Sequence, residues 1–199
     1  MKDLENTVFD ESMDGYIPVV PGVYPGHVVD LTTKDRKKDG TKFANDSVVF
    51  NITFSLAEEC KKLTVKKMKK NDTNGYDEIF DAEGNPVQIK GDYLIGKKFN
   101  SQGVWLTPNP IPGDGWKNRA YKEFFENLGV QFKEADGKVK LGFVEKSDVI
   151  GMPCLVTLGD EEYPAADGTT KLSTKAFNCH VWNDGVRLSE EEVGEDLPF

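Results

Sequence analysis

Between Val48 and Leu56 the side chains alternate in character, with Val48, Phe50, Ile52, Phe54 and Leu56 on one parity and Val49, Asn51, Thr53 and Ser55 on the other. A helix turns about 100° per residue and would scatter five such apolar groups, whereas a strand sends successive side chains to opposite faces. The segment reads as a strand with one apolar face, and that face needs a second layer to cover it.

The other elements are placed around this strand. Residues 22–33 (GVYPGHVVDLTT) are rich in β-branched and aromatic residues and read as a first strand. A polar loop centred on Asp39-Gly40 joins the two. Residues 93–107 resume as strand, with glycines that allow a bend. Strands are also expected near 150–158 and 172–183, with Asp167-Gly168 between them. The stretch 58–92 carries the turn signals Asn74-Gly75 and Glu83-Gly84-Asn85-Pro86 and reads as an insertion of hairpins or ordered loop, opening with either a short strand carried by Leu63 and Val65 or a basic helical turn.

One helix is expected, opened by Asp114 as cap and closed by Gly129. Trp116, Ala120, Tyr121, Phe124, Phe125 and Leu128 gather on one face of it and are the expected core contribution. Three strand regions, a helix and two strands match the order of an OB-fold. The expected fold is mainly β: an OB-fold-like five-stranded Greek-key barrel with one helix between strands three and four. A β-sandwich carrying one helix is the alternative. The expected boundaries are a polar arm at 1–15, the OB-fold-like domain at 16–186 with its insertion near 58–92, and a disordered acidic tail at 187–199.

Charge is unevenly distributed. The net charge is -9, yet residues 34–70 hold eleven bases and five acids. A polyanion responds to the local field, so this block is the candidate nucleic-acid site of an acidic chain, against the alternative of an ordinary lysine-rich surface. Lys34, Arg36, Lys37, Lys38 and Lys42, with Phe43, fall on the loop between the first two strands, one of the loops that bind oligonucleotides in OB-folds. Lys61, Lys62, Lys66, Lys67, Lys69 and Lys70 form a second cluster beyond the second strand. Sequence-tolerant binding also needs aromatic platforms for the bases. Phe43, Tyr76, Phe99, Trp105, Tyr163 and Trp182 lie beside polar or glycine neighbours, and Phe43 and Trp105 are the preferred pair. The loop GDEEYPAADGTT is acidic and repels phosphate.

The last ten residues, EEEVGEDLPF, carry five acids and no base. Their ending Asp196, Leu197, Pro198, Phe199 resembles the C-terminal tip of bacterial single-stranded-DNA-binding proteins, and the whole arrangement is similar to phage replication proteins with an OB core and an acidic tail. The resemblance implies a sequence-independent single-stranded-DNA-binding protein of phage-like replication, recombination and repair. Its tip would recruit a polymerase, helicase, nuclease or recombinase. Phe199 offers such a partner a ring worth about 1.5–3 kcal/mol on burial, and the acids steer encounter with a basic surface.

No enzyme is expected, and no cofactor. The chain has no GxxxxGK[ST], HExxH, GxSxG or CxxC pattern, and its two histidines leave little scope for acid–base chemistry. Cys60, Cys154 and Cys179 are too scattered for a metal framework, and Cys179 and His180 point to opposite faces of a strand. The acidic N-terminus shows no signal peptide, and no apolar run nears the ~20 residues that span a bilayer. The expectation is a cytoplasmic protein (host-cell cytoplasm if phage-encoded) without membrane association, with homo-oligomerisation left open. The competing reading is a non-enzymatic, β-rich virion or assembly protein whose acidic tail binds another subunit. It gives no reason for the basic block.

Overall fold

The computed structural model describes residues 17–71, 75–113, 115–164, 168 and 170–194. The expected arm at 1–15, Asn74, Asp114, Asp167 and the tip Asp196, Leu197, Pro198 and Phe199 lie outside these.

The chain is mainly β. Its main sheet contains β1 (Gly22–Lys34), β2 (Val48–Leu56), β7 (Lys98–Asn100), β8 (Val104–Leu106), β11 (Pro153–Pro164) and β12 (Thr170–Val181). The order is β12-β11-β1-β2-β7, with β8 also on β2 and every ladder antiparallel. A bulge at Val29 and the close approach of Gly26 to the Ser55 backbone let β1 bend, so that residues 22–27 pair with β11 and residues 26–34 with β2. The two ends of the sheet meet through one parallel bridge, Ser101 to Ala176, with the Gln102 N–H donating to the Ala176 carbonyl at 3.2 Å. One bridge is not a ladder, so among the described residues the sheet is not a closed barrel.

β2 follows its predicted alternation from Phe50 onward, whereas Val48 is half-buried and Val49, of the other parity, is buried. Phe50, Ile52 and Phe54 are fully buried, and Asn51, Thr53 and Ser55 occupy the outer face. The covering layer is α1 (Gly115–Asn127), which places Tyr121, Phe124 and Phe125 against Phe50 and Phe54; the centroids of Phe50 and Tyr121 are 5.1 Å apart. Gly129 closes the helix at φ +81, as its position predicts. Trp116 departs from expectation: it is 63% exposed. It belongs to the first helical turn, which does not lie over the core, and Ala120 is exposed with it. The buried stripe is Tyr121, Phe124, Phe125 and Leu128.

The insertion is a forked pair of hairpins. β3 (Thr64–Lys66) pairs with β6 (Gln88–Lys90), and beyond them β4 (Met68–Lys70) pairs with β5 (Tyr76–Glu78). Lys67, Ile79 and Val87 exchange backbone bonds at the fork, and Phe80 bridges Pro86 on the second arm. A small hairpin, β9 (Lys133–Ala135) and β10 (Lys138–Lys140), turns on Asp136 and Gly137, both at positive φ. The short α2 (Lys146–Val149) leads into β11.

The chain after β12 returns to α2 and the residues that lead into β11, which alters the expected tail boundary. Leu188 N–H donates to the Gly151 carbonyl at 3.0 Å, and Arg187 donates to the carbonyls of Ile150 and Ser147 at 3.1 and 2.8 Å. Residues 187–194 are thus ordered rather than tail, and end in α3 (Glu190–Gly194). Ser189 caps α3 by a reciprocal bond with Glu192, and Val193 packs against the core.

Candidate nucleic-acid interface

The outer face of the sheet is polar along its middle. Thr32 on β1, Asn51 and Thr53 on β2 and Asn100 on β7 share this face by register, and Thr53 Oγ1 donates to Asn100 Oδ1 at 2.8 Å. Asp30, opposite Thr53 on the same face, adds a carboxylate that is paired with Lys146 at 2.6 Å, so the surface offers hydrogen-bonding groups and one neutralised charge.

Phe43 and Trp105 meet at one end of it. Phe43 lies on the return limb of the β1–β2 loop, its N–H bonded to the Asp35 carbonyl at 2.9 Å. Trp105 lies on β8 opposite Val49. Their centroids are 4.9 Å apart at 74°, an edge-to-face pair, and both rings are half-buried. β8 is clamped just beyond Trp105. The Asn118 amide accepts from the Thr107 N–H at 2.8 Å and donates to the Thr107 carbonyl at 3.0 Å, while the Thr107 hydroxyl meets Ser47 at 3.0 Å in the interior. Sequence reasoning missed this clamp, because Ser47, Thr107 and Asn118 are ordinary polar residues until the fold brings them together.

The loop above the pair carries Lys34, Arg36, Lys37, Lys38 and Lys42, all exposed. It is a hairpin extension in which Arg36 bridges Lys42 and donates to the Gly40 carbonyl at 3.0 Å. Asp39 is turned into the loop: the Thr41 hydroxyl and N–H donate to it at 2.7 and 2.9 Å, and these bonds, the hydroxyl foremost, hold its carboxyl below the usual range. Among the described residues Lys34, Lys37, Lys38 and Lys42 make no ion pair, and Arg36 has only a long, exposed one with Asp35 at 3.9 Å. The loop is a preformed cationic edge.

The structure does not bring the second basic cluster to the same place. Lys61 and Lys62 follow the far end of β2, and Lys66, Lys67, Lys69 and Lys70 belong to the forked insertion. The nine residues of β2 separate the two clusters by about 27 Å. Lys61 is paired with Glu58 at 3.1 Å and Lys66 with Glu78 at 2.5 Å, so this cluster is partly neutralised. The two clusters of the sequence stay two patches, one at each end of β2.

The remaining aromatic candidates divide. Phe99 pairs across from Phe54 and packs on the core, which removes it as a platform. Tyr76 lies on β5 of the insertion. Tyr163 lies near the end of the β11–β12 hairpin, beside Glu161 and Glu162; this acidic arm extends past the start of β1, whereas the lysine loop follows the end of β1. Trp182 packs on His27 at 5.7 Å between centroids. Both line a cleft of about 400 Å³ at the far end of β2, with Glu58, Glu59 and Glu192 among its walls and Lys98 at its edge. His27 donates from Nε2 to the Val186 carbonyl at 3.0 Å, and burial lowers its pKa.

Among the described residues no group of three or more His, Cys, Asp or Glu side chains is placed to hold a metal ion, and no helix is long and apolar enough to cross a membrane. No family model matches the chain, and comparison with curated proteins and with solved structures returns no match.

Proposed function

We propose that this chain binds single-stranded DNA without sequence preference, in phage-like replication, recombination or repair, on the outer face of β1, β2, β7 and β8. The observation that carries the reading is the Phe43–Trp105 pair, set on a polar sheet face beneath a loop whose lysines make no ion pairs among the described residues. Rings accept any base by stacking, and the lysines supply a sequence-independent attraction to phosphate. Among the described residues no helix is basic enough to enter a major groove, which disfavours duplex recognition.

The finer reading of the fold is a partly open OB-type Greek key. It rests on the strand order, on α1 falling between β8 and β11, and on the parallel bridge where such a barrel would close. The sequence Asp196, Leu197, Pro198, Phe199 supports recruitment of replication or recombination partners, with α3 as the ordered root of that acidic segment.

Gel-shift competition between oligo-dT and duplex of equal length tests the proposal. Oligo-dT is expected to displace bound labelled oligo-dT at far lower concentration than duplex. Equal competition contradicts the strand preference, and no shift with either contradicts the function. The assembly-protein reading draws on the edge strand β12, with Val181 55% exposed, and on Phe80, equally exposed on the insertion. It predicts no shift.

A further inference from the structure

A second groove, of about 440 Å³, runs between α1, β12 and the link from Ser101 to Trp105. Trp105 lines it as well as contacting Phe43, so the groove opens directly off the candidate interface. Its two walls each present a further ring. Trp116 on α1 is 63% exposed and Phe177 on β12 is 42% exposed. A folded chain gains by covering rings of this size, and two left open on facing walls of one groove mark a contact surface.

The position of Phe177 is built into the backbone. Ala176 pairs with Leu158 and Asn178 with Thr157, which leaves Phe177 as the extra residue of a bulge. Its ring lies over Gly159, where a Cβ would sit 2.8 Å from it. Any larger residue at 159 would displace the ring. On the opposite wall Lys117 holds its ammonium 5.9 Å from the centroid of the Trp116 ring, which places a cation beside the platform. Gln102 and Asn178 line it with amide groups, and Glu123 is the one carboxylate among the described lining residues.

We infer that this groove is a second nucleobase site: a strand passing Trp105 continues between α1 and β12, with one base stacked on Trp116 and Phe177 as the facing wall. The inference rests on the single-stranded-DNA reading and extends it from the sheet face to the helix side. The occupant is a nucleobase rather than a protein side chain because the groove is continuous with the Phe43–Trp105 platform and combines open rings, a cation and amide groups.

The test is fluorescence anisotropy with labelled oligo-dT of about four and about sixteen nucleotides, the range of site sizes for one such module. Trp116→Ala and Phe177→Ala are each expected to weaken binding of the long oligonucleotide by roughly five- to 150-fold while leaving the short one within about twofold. Trp105→Ala is expected to weaken both. Trp116→Phe, which keeps a ring, is expected to retain most of the affinity. Trp116 is exposed, so its variants should keep the wild-type circular dichroism, and a long oligonucleotide carrying 5-iododeoxyuridine is expected to photocrosslink to the peptide containing Trp116. If Trp116→Ala and Phe177→Ala bind the long oligonucleotide as wild type does while Trp105→Ala is weakened, the groove inference falls and the sheet-face reading stands. If the wild-type chain binds neither length, both fall.

Discussion

Removing the rings of Phe43 and Trp105, singly and together, separates a binding platform from a structural contact. The edge-to-face pair at 4.9 Å is worth about 0.5–1.5 kcal/mol beyond burial, and a stacked base about 1–3 kcal/mol. Truncating a core Trp costs about 3–5 kcal/mol; Trp105 is half-buried at the sheet margin, so Trp105→Ala should cost about half that. Domains of this kind hold about 5–15 kcal/mol, so the variant stays folded. For binding, each single variant is expected to lose roughly five- to 150-fold in affinity for oligo-dT. If the two rings act as one platform, Phe43→Ala in the Trp105→Ala background loses less than it does in wild type, with a coupling of about 1 kcal/mol. Anisotropy of a labelled oligo-dT at fixed salt reads the binding, and circular dichroism melts confirm the folded state. A lowered melting temperature with unchanged affinity would make the pair purely structural and refute the reasoning. Strictly additive losses would refute the shared platform.

Further outcomes follow from the same geometry. Lys37→Ala with Lys38→Ala should make the slope of log K against log salt shallower by about 1.4, at roughly 0.7 per phosphate contact; an unchanged slope would place DNA elsewhere. Gly151 adopts φ +74, and a Cβ there would fall against the Leu188 carbonyl, so Gly151→Ala should destabilise the chain by about 3 kcal/mol or more and detach the segment after β12. Thermal melts of wild type and variant at matched pH measure this, and equal stability would contradict it. His27 gives a pH effect whose sign is set by burial. Its folded-state pKa is lowered from 6.5, against smaller opposing contributions from the Val186 carbonyl, Glu59 and Glu192. The unfolded chain therefore takes up the proton first, and stability is full above 6.5 and falls as pH drops from there toward the folded-state value. His27→Gln keeps a donor for the Val186 carbonyl, and the loss of melting temperature between about pH 7.5 and 5.5 should shrink in this variant. An unchanged loss would assign that dependence to other groups.

Local periodicity made part of this fold legible. β1 and β2 follow from alternation and β-branched content, and the buried stripe of α1 from the spacing of Tyr121, Phe124, Phe125 and Leu128. The insertion was legible from its turn residues. What the pattern could not show is where separate segments meet. Trp116 has the spacing of a core residue, but the core ends one turn short of it. The two lysine clusters are close in sequence number, but β2 runs between them and holds them apart in space. Residues 187–194 look like tail because they are polar, yet backbone bonds and the Arg187 guanidinium anchor the start of the segment, interactions that leave no compositional trace. Phe43 and Trp105 stood out singly by their neighbours, but only the β2–β8 register brings them together. Phe177 was missed because a bulge, not the strand alternation, aims it outward.

The central claim is tested most directly by titrating the purified chain with oligo-dT at low and moderate salt, following tryptophan fluorescence, in wild type and in a variant lacking residues 190–199. The account predicts quenching by oligo-dT that weakens as salt rises, and tighter binding at low salt once the acidic residues are removed. Unchanged affinity on truncation would remove the acidic segment as a competitor for the face. No binding at low salt in either protein would contradict the single-stranded-DNA function itself.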